Sequence, residues 1–310
     1  MSIQTKGLLK RYDQLTAVNE VDLDIPQGEI FGLIGPDGAG KSSLIRMLTT
    51  LVKPDGGQAR VAGFDVETDF RQIRKRIGYM PDVFALYEDL SIAENLHFFA
   101  SVFGVSPEKN YGIIREIYDT LKPFENRRAG KLSGGMKQKL ALSCALIHQP
   151  EVLFLDEPTT GVDVVSRKEF WDILGRISQS GVTVFISTPY MDEAARCHRV
   201  GLMQNGNIMA LNTPQGLIDA FEGWLYTFHA PDMYSRLQDL RAHPDIKRAV
   251  LFGDSVHLFT EKPLNEAEFK QYLSQKGFSP PYQWKEITPS VEDCFIAMQT
   301  QDKEAPAFAK

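Results

Sequence analysis

Several things are missing from this chain, and each absence excludes something. No stretch approaches the roughly 18 consecutive apolar residues that a membrane-crossing helix needs, so any membrane role requires another protein. The opening residues "MSIQTKGLLKRYDQ" have no apolar segment of signal-peptide kind, and none is expected to be cleaved. Cysteine is scarce: Cys144, Cys197 and Cys294 are widely spread and form no C-x-x-C pair. That pattern argues against a disulfide framework and for small buried side chains in a reducing compartment. Basic residues are not in excess. The net charge is -6, which speaks against nucleic acid as the main partner. Internal repeats and low-complexity tracts are also lacking.

What remains is ordinary globular composition, 43% hydrophobic and 24% charged over 310 residues, enough for one large or two ordinary domains. Alternation in "VNEVDLDI" predicts a half-exposed strand. "EIFGLI" (29–34) predicts a buried strand running into a glycine-rich loop, after which Leu44, Ile45, Leu48 and Leu51 fall at helical spacing. "RVAG" reads as a short strand. From about 86 to 149 strands give way to helical periodicity. They return as "VLFLD" (152–156), "VTVFIS" (182–187) and "RVGLMQ" (199–204), the last closed by a hairpin at Asn205-Gly206-Asn207. Strand–helix alternation with wholly apolar strands predicts an α/β fold with a mostly parallel sheet. Residues 221–310 change character to strand, helix, hairpin, helix, strand and a last helix, a small α+β module with a frayed tail. Trp224, Tyr226, Phe228, Tyr272 and Trp284 there read as core aromatics, and no catalytic grouping stands out.

The chemistry is concentrated in two stretches. "GPDGAGKS", residues 35–42, has the G-x-x-x-x-G-K-[ST] spacing of a phosphate loop and lies between a strand and a helix, as that mechanism demands. Gly35, Pro36, Asp37, Gly38, Ala39 and Gly40 form the loop, whose backbone N–H groups curl around the phosphates. Lys41 reaches the β- and γ-phosphates, Ser42 ligates Mg²⁺, and Ser43 continues the helix N-terminus. "VLFLDEP" puts Asp156 at the carboxyl end of a buried strand, where it would hold Mg²⁺, and Glu157 beside it to orient or deprotonate a water. Together they predict a binder of ATP with Mg²⁺.

"KLSGGMKQKLALSCAL" narrows the class. A second nest of amides, at Ser133, Gly134 and Gly135, opens an amphipathic helix 21 residues before Asp156 when counted from Gly135. Here the chain closely resembles the ATP-binding subunits of ABC transporters, with Met136 where their signature most often has glutamine. The resemblance covers residues 3 to about 220. It implies a P-loop ABC cassette (1–220) with mixed sheet core, antiparallel N-terminal strands and helical insertion. It also implies that Ser133, Gly134 and Gly135 face ATP held by a second subunit, in a homo- or heterodimer. By the same resemblance Tyr12 stacks on adenine, residues 159–163 contact the partner cassette through Asp163, and "YMPDVFALYEDLSIAENL" contacts an integral-membrane permease. It is nearest to subunits serving ABC-2-type exporters, some of which carry an extension ending like "SVEDCFIAM". It places the chain at the cytoplasmic face of the cell membrane and leaves the cargo, drug-like or lipid-like in that group, to the permease.

Two positions depart from the resemblance. Asp82 stands where the family has a glutamine that touches Mg²⁺ and the water; a carboxylate is still a hard oxygen ligand. Pro189 stands where the family has a histidine that hydrogen-bonds the γ-phosphate, and proline has no side-chain donor and no N–H. His198 is no substitute, because nine helical residues would carry it about 13 Å away. The expectation is an ATPase with a slowed site on its own phosphate loop and an intact signature for a partner. Two other readings stay open. One is a nucleotide-dependent binding module that never hydrolyses. The other is a soluble regulatory ABC protein, which would usually carry two cassettes or a long inserted arm.

Overall fold

In the computed structural model, which describes residues 1–299 apart from Asp232 and Ser279, the chain opens as an antiparallel hairpin, Ile3–Tyr12 (β1) and Leu15–Ile25 (β2). It enters the interior as Ile30–Ile34 (β3) and turns into the helix Lys41–Leu48 (α1). Gly56–Val61 (β4) and Phe64–Asp65 (β5) then complete a sheet ordered β2-β1-β4-β5. After Phe70–Arg74 (α2) and Ile77–Met80 (β6) come three helices, Ile92–Val102 (α3), Pro107–Tyr118 (α4) and Gly134–Leu146 (α5). Val152–Asp156 (β7), Val164–Gln179 (α6), Thr183–Thr188 (β8), Arg199–Gln204 (β9) and Asn207–Asn212 (β10) close this part.

The second sheet has the order β10-β9-β3-β8-β7-β6, parallel except at β10. Every residue of β3, β7 and β8 is buried, which is why their centres read as apolar runs instead of alternating ones. Phe185 packs between Phe31 and Phe154 at centroid distances of 5.3 and 5.6 Å, tying the three strands together. Register then aligns their carboxyl ends: Ile34 is opposite Thr188, and Asp156 opposite Ser187. The loops that follow these strands therefore emerge at one edge.

Two local expectations need correcting. Helix α1 stops at Leu48, and Thr50 takes a left-handed conformation (φ 65°), so Leu51 leaves the helical face and is exposed. The pair of β-branched threonines weakens the last turn, and Arg74 fixes the break by hydrogen-bonding Thr50 Oγ1 and its carbonyl. The first helix expected within 221–310 is reduced to the five residues Leu237–Arg241.

The chain divides into two compact units, the first being Met1–Pro214. The second comprises Pro214–Asp219 (α7, which starts at the boundary), Trp224–His229 (β11), Leu237–Arg241 (α8), Ile246–Phe252 (β12), Ser255–Thr260 (β13), Glu266–Gln275 (α9), Gln283–Glu286 (β14) and Val291–Met298 (α10). Its antiparallel sheet runs β12-β13-β11-β14. Phe228 and Tyr226 are buried in its core, with Trp224 and Trp284 packed against it. Tyr272 is half-buried and donates its hydroxyl to the Asp239 carbonyl at 2.7 Å. The tail expected beyond residue 299 lies outside the described residues. All three cysteines are free and buried. Among the described residues no helix is long and apolar enough to cross a membrane.

Candidate functional site

The phosphate loop grows directly from β3. Gly38 and Gly40 both have positive φ, 78° and 109°, and Gly40 ends the loop in a left-handed conformation that only glycine takes without strain. A Cβ at Gly40 would also lie 2.0 Å from the Ala17 carbonyl oxygen. The loop is pinned from its flanks: Gly35 N–H donates to the Thr188 carbonyl (3.3 Å), and the Ala39 carbonyl accepts from Gly206 N–H (2.9 Å). Asp37 and Gly38 are exposed at its crest, and Pro36 is half-buried. Ser42 and Ser43 follow in the first turn of α1, whose unpaired amides point out of the helix start.

Lys41 is buried, yet its Nζ has three oxygen neighbours. It donates to the carbonyls of Gly35 (2.9 Å) and Pro36 (3.1 Å) and lies 3.2 Å from Glu157 Oε1. Glu157 leaves β7 with φ 49°, a strained value for a non-glycine residue, held by its N–H donating to both the carbonyl and the hydroxyl of Ser187. The strain swings the Glu157 side chain out of the strand and over the loop.

Asp156 is fully buried, and its Oδ1 accepts from Ser42 Oγ (3.1 Å) and Ser187 Oγ (2.5 Å). Its Oδ2 is buried without a partner. Burial raises its pKa above the usual carboxyl value; the two serine hydrogen bonds oppose that, and the charge of Asp82 adds to it. An orphaned carboxyl oxygen next to a serine hydroxyl fits a hard divalent cation such as Mg²⁺, which takes oxygen ligands. Asp82 is exposed, and its Oδ1 accepts from the neighbouring Val83 N–H. Tyr79, on β6 behind these carboxyls, has its pKa pushed up to about 12, first by burial and then by Asp156.

Pro189 follows the rung that pairs Ile34 with Thr188, so a donor-free residue stands next to the base of the phosphate loop. The stretch after it, Met191–Arg196, is a 3₁₀ helix, not the α-helix expected between Pro189 and His198. His198 is still remote from the phosphate loop. It is exposed at the opposite end of β3, where its Nδ1 accepts from Ile30 N–H at 2.9 Å, and the strand's own length separates it from the loop by about 13 Å.

Ser133 caps α5 by accepting from Met136 N–H (3.4 Å), and both Ser133 and Gly134 are exposed. Gly135 has no room for a side chain, because a Cβ would lie 2.7 Å from Ser166 Oγ. Asp163 caps α6, accepting from Val165 and Ser166 N–H, and these bonds hold its carboxyl below the usual range. The LSGG segment and the loop 159–163 are thus packed side by side within one chain. Tyr12 ends β1, is 41% exposed, and has the Lys10 ammonium 5.4 Å from its ring centroid.

A separate groove of about 470 Å³ lies under residues 77–86, bounded by Phe99, Phe103, Gln138 and His148. Val83, Tyr87 and Phe98, on or beside the segment expected to meet a membrane protein, are exposed.

The structure therefore brings Gly35 to Ser43, Asp156 and Glu157 together, and leaves Ser133, Gly134 and Gly135 on a separate element. Sequence reasoning missed Ser187, which fixes both Asp156 and Glu157. The available signal was a hydroxyl closing an otherwise apolar strand in "FISTP".

Comparison with known proteins agrees with this geometry. The family described as ABC transporter matches residues 18–160. A probable multidrug ABC transporter ATP-binding protein, YbhF of Escherichia coli (strain K12), is 40% identical over 301 residues, 95% of this chain and 51% of that protein. The chain therefore spans about half the length of that relative. Nod factor export ATP-binding protein I of Rhizobium sp. (strain N33) is 32% identical over 98% of this chain and 99% of its own. The daunorubicin/doxorubicin resistance ATP-binding protein DrrA of Streptomyces peucetius is 36% identical over 76% and 73%. Among solved structures, the ATP-binding subunit of an ABC transporter superposes with a TM-score of 0.65 at 24% identity, covering 71% of this chain and 92% of that one. A dimeric, post-hydrolysis ATP-binding cassette bound to ADP and phosphate gives 0.62 at 24% identity, covering 68% and 98%. With relatives this similar over most of the chain, and a phosphate loop, an Asp-Glu strand end and an LSGG segment on one α/β frame, the chain belongs to the family of ABC transporter ATP-binding proteins.

Proposed function

We propose that this chain is the ATP-binding and ATP-hydrolysing subunit of an ABC-2-type exporter, docked on the cytoplasmic side of a separate membrane permease and paired with a second cassette. The observation that carries the reading is the convergence of Lys41, Ser42, Asp156 and Glu157 at one sheet edge. Lys41 and the amides of α1 bind the phosphates of ATP. Ser42 and Asp156, with Asp82 near them, would hold Mg²⁺, which when bound neutralises charge on the phosphate oxygens. Glu157 orients the water and takes its proton as ATP and water become ADP and phosphate. Tyr12, exposed at the end of β1, offers its ring to adenine.

Hydrolysis at this chain's own loop is slow, because Pro189 supplies no donor to the γ-phosphate and Asp82 adds negative charge beside it. Losing one such donor lowers rates by roughly 10²–10³. The exposed Ser133 and Gly134, with Gly135, serve the nucleotide of the partner cassette. The groove flanked by Val83, Tyr87 and Phe98 receives the permease. Names of relatives point the same way: one is a multidrug transporter protein, another a Nod factor export protein.

Phosphate release by the purified chain, alone and as Pro189→His, tests the proposal. Slow release that the substitution accelerates supports it; brisk turnover indifferent to position 189 overturns the slowed site. The same two departures favour one other reading, a nucleotide-gated module without turnover, for which no phosphate would be released by either form.

A further inference from the structure

Glu193 is a buried carboxyl that the ATP site does not use. It is 2% exposed, and it belongs to the short helix Met191–Arg196 that follows Pro189. Its Oε1 accepts from Thr159 Oγ1 at 2.8 Å, while Arg167 Nε is 3.7 Å away and Oε2 has no partner. Thr159 begins the loop 159–163, and Arg167 lies in α6 just beyond its Asp163 cap. The Arg167 guanidinium also sits over the Tyr190 ring at 4.2 Å. Through Gly161, whose carbonyl oxygen a Cβ on Gly134 would meet at 3.4 Å, the same loop lies against the signature.

Three segments with different tasks therefore meet at one side chain: the exit of β8 beside the phosphate loop, the partner-facing loop, and the helix behind it. Burying a half-satisfied carboxyl is costly, and an apolar side chain of the same length would fill the space at less cost. What glutamate adds is an acceptor for Thr159 and a negative charge opposite Arg167.

We propose that Glu193 is a positioning residue, which through its bond from Thr159 makes the loop 159–163 and the adjoining signature follow the strand end at Pro189. Its effect falls on ATP-dependent pairing of cassettes and not on the affinity of the single chain for ATP. The inference rests on the proposed pairing of this chain with a second cassette.

The test uses the full chain with Glu157→Gln, which holds ATP unhydrolysed, either alone or with its copurifying cassette. Pairing is followed by light scattering against ATP concentration, and single-chain affinity with a fluorescent ATP analogue. Thr159→Val should raise the ATP concentration for half-maximal pairing by about tenfold, the loss of one hydrogen bond to a carboxyl, and Glu193→Met by at least as much, because it also leaves Arg167 without its carboxyl. Affinity of the single chain should stay within about twofold, and Thr159→Ser should restore pairing, which loss of packing alone would not do. Parent-like pairing of Thr159→Val, or an equal loss of single-chain affinity, overturns the role of Glu193 and leaves the pairing reading intact. If the parent itself fails to pair at saturating ATP, both fall. Should Glu193→Met not fold, the Val and Ser substitutions at Thr159 decide.

Discussion

Lys41 Nζ lies 3.2 Å from Glu157 Oε1, so the cation proposed for phosphate and the carboxyl proposed for water hold each other. ATP must part them before the site can work. Removing the carboxyl therefore has opposite effects on binding and turnover. Glu157→Gln should bind ATP a few-fold more tightly, since releasing a partly buried pair is worth on the order of 1 kcal/mol. Turnover should fall by about 10² or more, the usual contribution of a positioned base. Titration with a fluorescent ATP analogue and phosphate release measure the two; a parallel loss of both would show that Glu157 supports the loop and not the water.

On the proposed reading, the residue after β8 decides how well charge on the γ-phosphate is met. Pro189→His restores a donor at the base of the phosphate loop, beside the Ile34–Thr188 rung. Turnover should rise by about tenfold or more, with KM little changed, because the donor acts on developing charge. Asp82→Gln removes a negative charge that acts on Asp156, and should add to that gain. Steady-state kinetics of the two single variants and the double variant would measure this, and unchanged turnover in all three would count against it.

Asp156 gives a dependence on pH with a definite sign. Its carboxyl pKa is raised, first by burial, so the fold favours the protonated form. Its contribution to stability is most favourable below the unfolded value of 3.8 and declines as pH climbs through the raised folded value. Asp156→Asn escapes that decline. Without nucleotide or metal it should melt at a higher temperature than the parent at pH 7, with the difference shrinking toward pH 4. Mg²⁺ should stabilise the parent and leave the variant unaffected. Thermal melts across pH, with and without Mg²⁺, check both halves.

Much of this site is legible in the sequence because its parts are contiguous there. Residues 30–43 and 152–157 each carry a strand, its end and the chemistry within a few positions, so a short pattern suffices. Ser187 is not legible in that way: it reaches Asp156 only through the parallel register of β7 and β8. Glu193 is a similar case, joined to Thr159 across 34 positions. The strand β6 has only four residues after the turn Lys75–Arg76, too few for periodicity to register. At Leu51 the apolar spacing continues after the backbone has stopped being helical, since hydrophobicity reports a face and not the φ of Thr50. In the second unit the order of elements can be read, whereas the pairing of Asp293 with His257 at 2.6 Å depends on how α10 meets β13.

Two glycines of the phosphate loop make the last prediction, because they differ in what surrounds them. Gly38 has φ 78° and nothing within 4 Å of the place a Cβ would take, so Gly38→Ala meets only the left-handed backbone penalty of about 1–2 kcal/mol. Gly40 has φ 109°, and its Cβ would fall 2.0 Å from the Ala17 carbonyl oxygen and 2.8 Å from Met203 Cε. The methionine can move, but the β2 backbone cannot without disturbing the hairpin. Gly40→Ala should cost about 3 kcal/mol or more, and abolish ATP binding by displacing the amides at the start of α1. Urea unfolding of the two variants separates the cases. Equal losses would mean that the loop is free of β2, and that the packing which presents Lys41 and Ser42 to phosphate comes from elsewhere.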